Sequence, residues 1–156
     1  MSPVDISTDA ADEQAKPVLR RLLELNAHEF SAFDGRDVNE HGEYGYRYLD
    51  QYWTEPDHRQ AFLIRCDGQI AGFAMVLGGP RQSVSEFFIL RKYRRRGVGA
   101  AAAQMILRAS PGHWVTHQVP GNDDAVAFWR RAIPVPFAET MDANGTTQRF
   151  TIDDLH

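Results

Sequence analysis

Residues Ser85–Leu107 read SEFFILRKYRRRGVGAAAAQMIL, and the rest of the chain can be placed around them. Phe87, Phe88, Ile89 and Leu90 form a compact apolar run, too short for a stable helix and bounded by a polar turn, which predicts one buried strand. Ala100 to Leu107 holds strong helix formers with no breaker before Pro111, so a helix is expected to start near Gly97 or Val98. Gly97 and Gly99 leave the intervening turn bare of side chains, and amides at the positive end of a helix can then converge on one anion. Arg91, Lys92, Arg94, Arg95 and Arg96 crowd this turn in a chain of formal net charge -4, so the local field opposes the global one. That contrast points to a bound polyanion. Charge alone does not select among these residues, and at most two or three of the five basic side chains are expected to touch ligand.

Glycine-rich turns of two other kinds hold phosphates, but the G-x-G-x-x-G spacing and the G-K-[ST] ending are both absent. The run Arg94-Arg95-Arg96-Gly97-Val98-Gly99 instead resembles the Q/R-x-x-G-x-G/A signature of the GNAT superfamily of acyl-CoA N-acyltransferases. Downstream, Asn122 to Arg131 (NDDAVAFWRR) is similar to that family's N-x-x-A-x-x-F-Y-x-x segment, which opens the helix after the fifth strand. The two motifs occur in the family's order, and the surroundings of EFFILRKYRRRGVG and AVAFWRRAI also resemble a poorly characterised bacterial branch of it.

The remaining elements follow from local signals. Val4 to Thr8 reads as a first strand, and Ala11 to Phe30 as a long amphipathic helix with Val18, Leu19, Leu22, Leu25 and Ala27 on its apolar side. Pro17 fits only in its first turn or an irregular start. Ser31 to Gly45 is a loop, and Tyr46, Tyr48, Leu49, Tyr52 and Trp53 suit a second, shorter helix with an aromatic face. Those aromatics either pack beneath the loop or, by the resemblance, border an acceptor pocket. Gln60–Cys66 and Gln69–Leu77 are strands joined by Asp67-Gly68, a strong two-residue hairpin signal. Gly78-Gly79-Pro80 breaks the chain before a fourth strand over Ser83–Leu90, and His113–Val119 gives a fifth. Val135–Met141 and Thr146–Ile152 flank Asn144-Gly145 as a terminal hairpin. The expected fold class is α+β: a central, mixed but mostly antiparallel sheet of about seven strands flanked by four helices, with strands four and five splayed as the resemblance implies.

At 156 residues, 43% hydrophobic and 24% charged, the chain suits a single domain spanning residues 1–156. No apolar run approaches a membrane span and the start lacks a signal-peptide pattern, so a soluble, cytoplasmic protein is expected. The single cysteine, Cys66, reads as a packed strand thiol rather than a nucleophile, and no metal site is expected.

The resemblance implies acetyl-CoA as cosubstrate and an amine as acceptor. It places the main chain of Phe87, Phe88 and Ile89 along the pantetheine arm and Arg95 through Ala100, that is Arg95, Arg96, Gly97, Val98, Gly99 and Ala100, on the pyrophosphate. Arg94 opens the same motif, and Asn122 and Phe128 belong to the second. Asn122 is equally a good helix N-cap. The tyrosine that family members commonly use to protonate the departing thiolate is replaced by Trp129, whose indole is a donor but no usable acid. Two base candidates stand side by side: His117 on the fifth strand, where a histidine is more often structural or exposed, and Glu86 at the head of the fourth, where apolar neighbours can raise a carboxyl pKa or a nearby arginine can simply pair with it. The function expected is direct N-acetyl transfer without a covalent enzyme intermediate. Two rivals remain: a CoA-binding regulatory module that has lost chemistry, and a nucleic-acid binder using the RKYRRR patch, against which the acidic total charge counts. A homodimer through the final hairpin is implied by analogy only.

Overall fold

The computed structural model describes residues 4–154. Its strands are β1 (Ile6–Ala10), β2 (Arg59–Cys66), β3 (Gln69–Leu77), β4 (Arg81–Ile89), β5 (Gly112–Gln118), β6 (Ala138–Asp142) and β7 (Gly145–Ile152). Its α-helices are α1 (Lys16–Asp34), α2 (Gln51–Thr54), α3 (Val98–Arg108) and α4 (Asp123–Ala132). The strands form one seven-stranded sheet in the order β1-β2-β3-β4-β5-β7-β6, antiparallel at every junction except β4–β5. The expected α+β class, strand number and helix number are those observed.

Local chemistry explains most boundaries. Asp67 and Gly68 both take positive φ, 51° and 83°, the geometry of a tight turn whose twist matches the flanking strands. Pro17 lies in the first turn of α1, where its missing N–H costs nothing. Gly35 ends that helix in the left-handed region, its N–H donating to the Ser31 carbonyl. Helix α1 therefore runs four residues past the expected Phe30. The second helix is smaller than its aromatic spacing implies: only Gln51–Thr54 is α-helical, and Tyr46–Asp50 is a set of turns. Strand β1 lies two residues later than expected, and β6 begins at Ala138 rather than Val135.

Central strand β3 is buried on both faces, as a strand covered by helices on each side must be. Phe73 and Met75 face Leu19, Leu22, Leu23 and Leu49 and the Tyr52 ring on the α1 side. Ala74 and Val76 face the other side, among Val98, Ala102, Ile106 and Trp129 of α3 and α4. On α1 the buried positions are Leu19, Leu22, Leu23, Asn26 and Ala27, whereas Leu25, expected on the apolar side, is 49% exposed. Cys66 is a buried free thiol of β2.

Two irregularities shape β4. The pairing of β3 with β4 slips between Met75 and Val76, so Ser85 is an extra residue opposite that step. Such a bulge bends its strand. The parallel pairing with β5 covers only Arg81, Gln82 and Ser83, opposite His113, Trp114 and Val115, and stops two residues before the bulge. Beyond it β4 and β5 diverge. At the far end Gly72 sits so close to β4 that a Cβ there would overlap the Phe88 carbonyl. Gly72→Ala is expected to push β3 and β4 apart and to lower unfolding free energy by about 3 kcal/mol, read from the midpoint of urea denaturation.

Candidate active site

The divergence of β4 from β5 opens a cleft of about 990 Å³. One wall is β4 from Val84 to Ile89, the other the end of β5 with the first turns of α4; the C-terminal half of α1 lies over one end and the basic turn closes the other. The Leu90 N–H donates to the Ala71 carbonyl of β3, whereas the Ile89 carbonyl accepts from Arg94 Nε at 2.7 Å. Peptide groups alternate sides along a strand. The N–H and C=O of Phe87 and the N–H of Ile89 therefore face the cleft, where β5 offers them no ladder.

The basic turn is held in an uncommon conformation. Arg95 has φ 62°, which only a few per cent of non-glycine residues adopt, and Gly97 has φ 77°, with Arg96 between them at negative φ. Such alternation makes successive N–H groups converge on a concave anion site. Arg94–Gly97 is a turn, yet among the described residues no carbonyl or side chain lies at ordinary hydrogen-bond geometry to the amides of Arg95, Arg96, Gly97, Val98, Gly99 or Ala100. These consecutive donors at the N-terminus of α3 are left without a well-formed partner. Gly99 is small for a packing reason as well: a Cβ there would lie 2.9 Å from Phe128 Cε1 and 3.3 Å from Ile89 Cγ1. Val98 is fully buried, so its contribution to the turn is its backbone alone.

The basic side chains divide into two sets. The Arg94 guanidinium donates to both carboxylate oxygens of Glu29 on α1, each at 2.9 Å, and lies over the Phe88 ring. Arg91 donates to the same carboxylate at 3.2 Å. These two fasten α1 to the turn. Arg95 and Arg96 carry no ion pair among the described residues. The sequence motif puts Arg94 among the ligand contacts; its side chain is instead occupied within the protein, a partnership across 65 residues that no local pattern announces.

Under the cleft, Phe87, Phe128 and Trp129 form a packed aromatic trio with ring centroids 5.1–5.3 Å apart. Phe88 points to the opposite face, against Phe73. Asn122 caps α4, its Oδ1 accepting from the Ala125 N–H at 3.3 Å, and it also lines the cleft. Beneath β5 a buried network joins Thr116, Gln118 and Gln148 by bonds of 2.7–2.9 Å, fixing β5 against β7.

The two base candidates differ in surroundings. His117 lines the cleft but has both ring nitrogens engaged: Nδ1 with the Thr147 hydroxyl at 2.9 Å and Nε2 with the Asn144 carbonyl at 3.0 Å. A carbonyl only accepts, so Nε2 carries the hydrogen and the Nδ1 lone pair takes the hydroxyl proton. Glu86 has a single hydrogen-bond partner among the described residues, Asn26 of α1, whose Nδ2 donates to Oε2 at 2.9 Å. Burial pushes the Glu86 carboxyl up to about 6, against the lowering effects of Asn26 and of the Arg36 charge. Its other oxygen is left for the cleft. Asn26 is a site residue that the sequence motifs do not mark, although a polar side chain interrupting an apolar helix stripe is the available signal. Among the described residues there is no group of three metal-ligating side chains and no helix long and apolar enough to cross a membrane.

Comparison with known proteins places this geometry. An acetyltransferase from Thermus thermophilus superimposes with TM-score 0.72 at 19% identity, over 94% of this chain and 97% of that one. A paia N-acetyltransferase from Thermoplasma acidophilum, in complex with coenzyme A, gives TM-score 0.67 at 10% identity, over 94% and 99%. The ribosomal-protein-S18-alanine N-acetyltransferase from Escherichia coli gives 0.64 at 14%, over 95% and 94%. No curated protein matches the sequence. At such identities these similarities speak for the fold, whereas the sequence model of the Acetyltransferase (GNAT) family matches residues 19–133, from α1 to just past α4, and the chain belongs to that family.

Proposed function

We propose that the protein transfers the acetyl group of acetyl-CoA to an amine, carried by a small molecule or a protein, by direct attack. The observation that carries this reading is the row of six open amides from Arg95 to Ala100 beside a strand edge that β5 leaves unpaired. A pyrophosphate supplies acceptors to the first, and a pantetheine amide chain supplies a partner to the second, as an added strand would. The Thermoplasma acidophilum structure, of the same fold, contains coenzyme A. Arg95 and Arg96 are placed to meet further phosphate charge, while Arg94 and Arg91 hold the turn through Glu29. Against a nucleic-acid reading of the RKYRRR patch stands the formal net charge of -4 of the whole chain.

For transfer, the amine must be neutral and the thioester carbonyl polarised. The unpaired amides of β4 near Ile89 can donate to the developing oxyanion. Glu86 is the better base: it is half-buried, holds one oxygen free and is pushed up to about 6 by burial, whereas the His117 lone pair is already taken. The amine nitrogen bonds to the carbonyl carbon as its proton passes to Glu86, directly or through a water. The carbon–sulfur bond then breaks and the carrier departs as a thiolate, which solvent protonates. Trp129 stands where family members commonly carry a tyrosine acid, and that difference motivates a second reading, a module that binds the carrier without turnover.

Calorimetry with coenzyme A is expected to give a 1:1 complex, and Gly97→Ala to weaken it roughly tenfold, because a Cβ at φ 77° costs about 1–2 kcal/mol in the binding-competent turn. Following thiol release from acetyl-CoA across an amine panel separates the readings: binding without turnover for any acceptor favours the module. Glu86→Gln is expected to leave coenzyme A binding intact and to lower kcat by about 10²–10⁴. The same variant carries a signed pH effect. Burial raises the Glu86 carboxyl from 4.5 to about 6, so the folded state binds more protons than the unfolded one between those values. Wild-type stability from this group therefore falls as pH rises through that window, and the melting temperature of Glu86→Gln should gain on wild type from pH 4.5 to pH 6.

A further inference from the structure

We propose that Asn26 is the positioning residue of the active site, holding one oxygen of the Glu86 carboxylate so that the other faces the acceptor in its ionised form. The inference deepens the proposed function and rests on its assignment of Glu86 as base.

Helix α1 buries an apolar stripe of Leu19, Leu22, Leu23 and Ala27. Asn26 lies four residues after Leu22 and three after Leu23, on the same stripe, and is only 6% exposed. Helix propensity and burial both argue against asparagine there: it forms helix less readily than leucine or alanine, and a buried amide is costly unless hydrogen-bonded. The position makes sense only through its partner. Its Nδ2 donates to Glu86 Oε2 at 2.9 Å, joining α1 to β4 across 60 residues, and both side chains line the cleft.

This bond has two effects. It removes the free rotation that a lone carboxylate would keep, which fixes the direction of the remaining oxygen. It also favours the charged form, opposing the desolvation that burial imposes. The charged and titratable groups around Glu86 come from every neighbouring element. Arg36, just after α1, helps to keep it ionised, and Tyr46, before α2, feels its charge. His28 and Glu29 on α1 and His117 on β5 line the same cleft. None of these hydrogen-bonds Glu86, so among the described residues Asn26 is the one hydrogen-bond partner that sets its orientation.

The test uses Asn26→Leu, which completes the apolar stripe, and the near-isosteric Asn26→Asp, which replaces the donor by a like charge. Folding is checked by thermal melting and by the coenzyme A dissociation constant. Glu86 is titrated by carboxyl-carbon NMR without substrate, and the pH profile of kcat is measured separately. In both variants the Glu86 midpoint is expected to rise by about one pH unit or more, with the acid limb of kcat moving by the same amount and activity on that limb falling about tenfold per unit. An unmoved midpoint in a folded variant overturns the role of Asn26 and leaves the assignment of Glu86 untouched. A midpoint that moves while the kcat profile stays in place shows that Glu86 is not the base, and the inference falls with that assignment. The NMR arm reads the Asn26–Glu86 coupling even if no acceptor turns over, so failure of the proposed reaction is seen apart from failure of the pair.

Discussion

The structure depends on a strand that loses its partner midway. β4 pairs with β5 over three residues and then runs free on that side while keeping β3 on the other. An unpaired edge inside a sheet is unstable unless the gap is held open, since peptide groups seek partners. Here the gap is held from both walls. β5 is fastened away from β4 by a seven-pair ladder to β7 and by the buried Thr116–Gln148–Gln118 network. β4 is fastened to β3 and bent by its extra residue at Ser85, whose hydroxyl donates to the Met75 carbonyl and meets the Tyr52 hydroxyl at 2.8 Å. The aromatic trio of Phe87, Phe128 and Trp129 fills the floor.

The same gap sets the electrostatics of both ends of the cleft. At the turn, Glu29 pairs with both arginines nearest α1, while Lys92, Arg95 and Arg96 carry no ion pair among the described residues. Fixed amides need no reorganisation when a ligand arrives, whereas a cluster of mobile arginines would have to be ordered. At the other end a carboxyl is buried, and the Asn26 donor and the Arg36 charge only partly offset the desolvation, which leaves it raised to about 6. One cleft thus holds a basic, amide-rich turn at one end and a buried carboxyl at the other.

Much of this was legible in the sequence because it is local. The bounds of β3, the Asp67-Gly68 turn, the start of α3 at Val98 and the N-cap at Asn122 each follow from a few adjacent residues. The glycine-bearing turn between β4 and α3 was legible for the same reason. What escaped was long-range. The Arg94–Glu29 pair spans 65 residues, the Asn26–Glu86 bond 60, and the Tyr52–Ser85 contact 33. Aromatic spacing over Tyr46–Trp53 overstated α2, because Tyr52 and Leu49 are buried by turns packed on the sheet rather than by a regular helix. Leu25 was misplaced because a leucine was counted by type, while the true stripe runs through Leu23 and Asn26.

Trp129 ties the two halves of the site together. It is almost wholly buried between Phe87 of β4 and Phe128 of α4, so its ring holds the floor of the cleft on which the strand edge rests. An indole cannot give up its proton to a departing thiolate, but a thiolate needs little help: thiols ionise near pH ~8.5, far below alcohols or amines. Proton delivery therefore matters less on the leaving side than on the attacking side, where an ammonium must lose a proton before it can react at all. Under the proposed reaction the Glu86 carboxyl is therefore the group whose loss costs more, and Trp129 serves packing. On that argument the tryptophan is consistent with turnover, and the chemical weight of the site falls on the contact between α1 and β4.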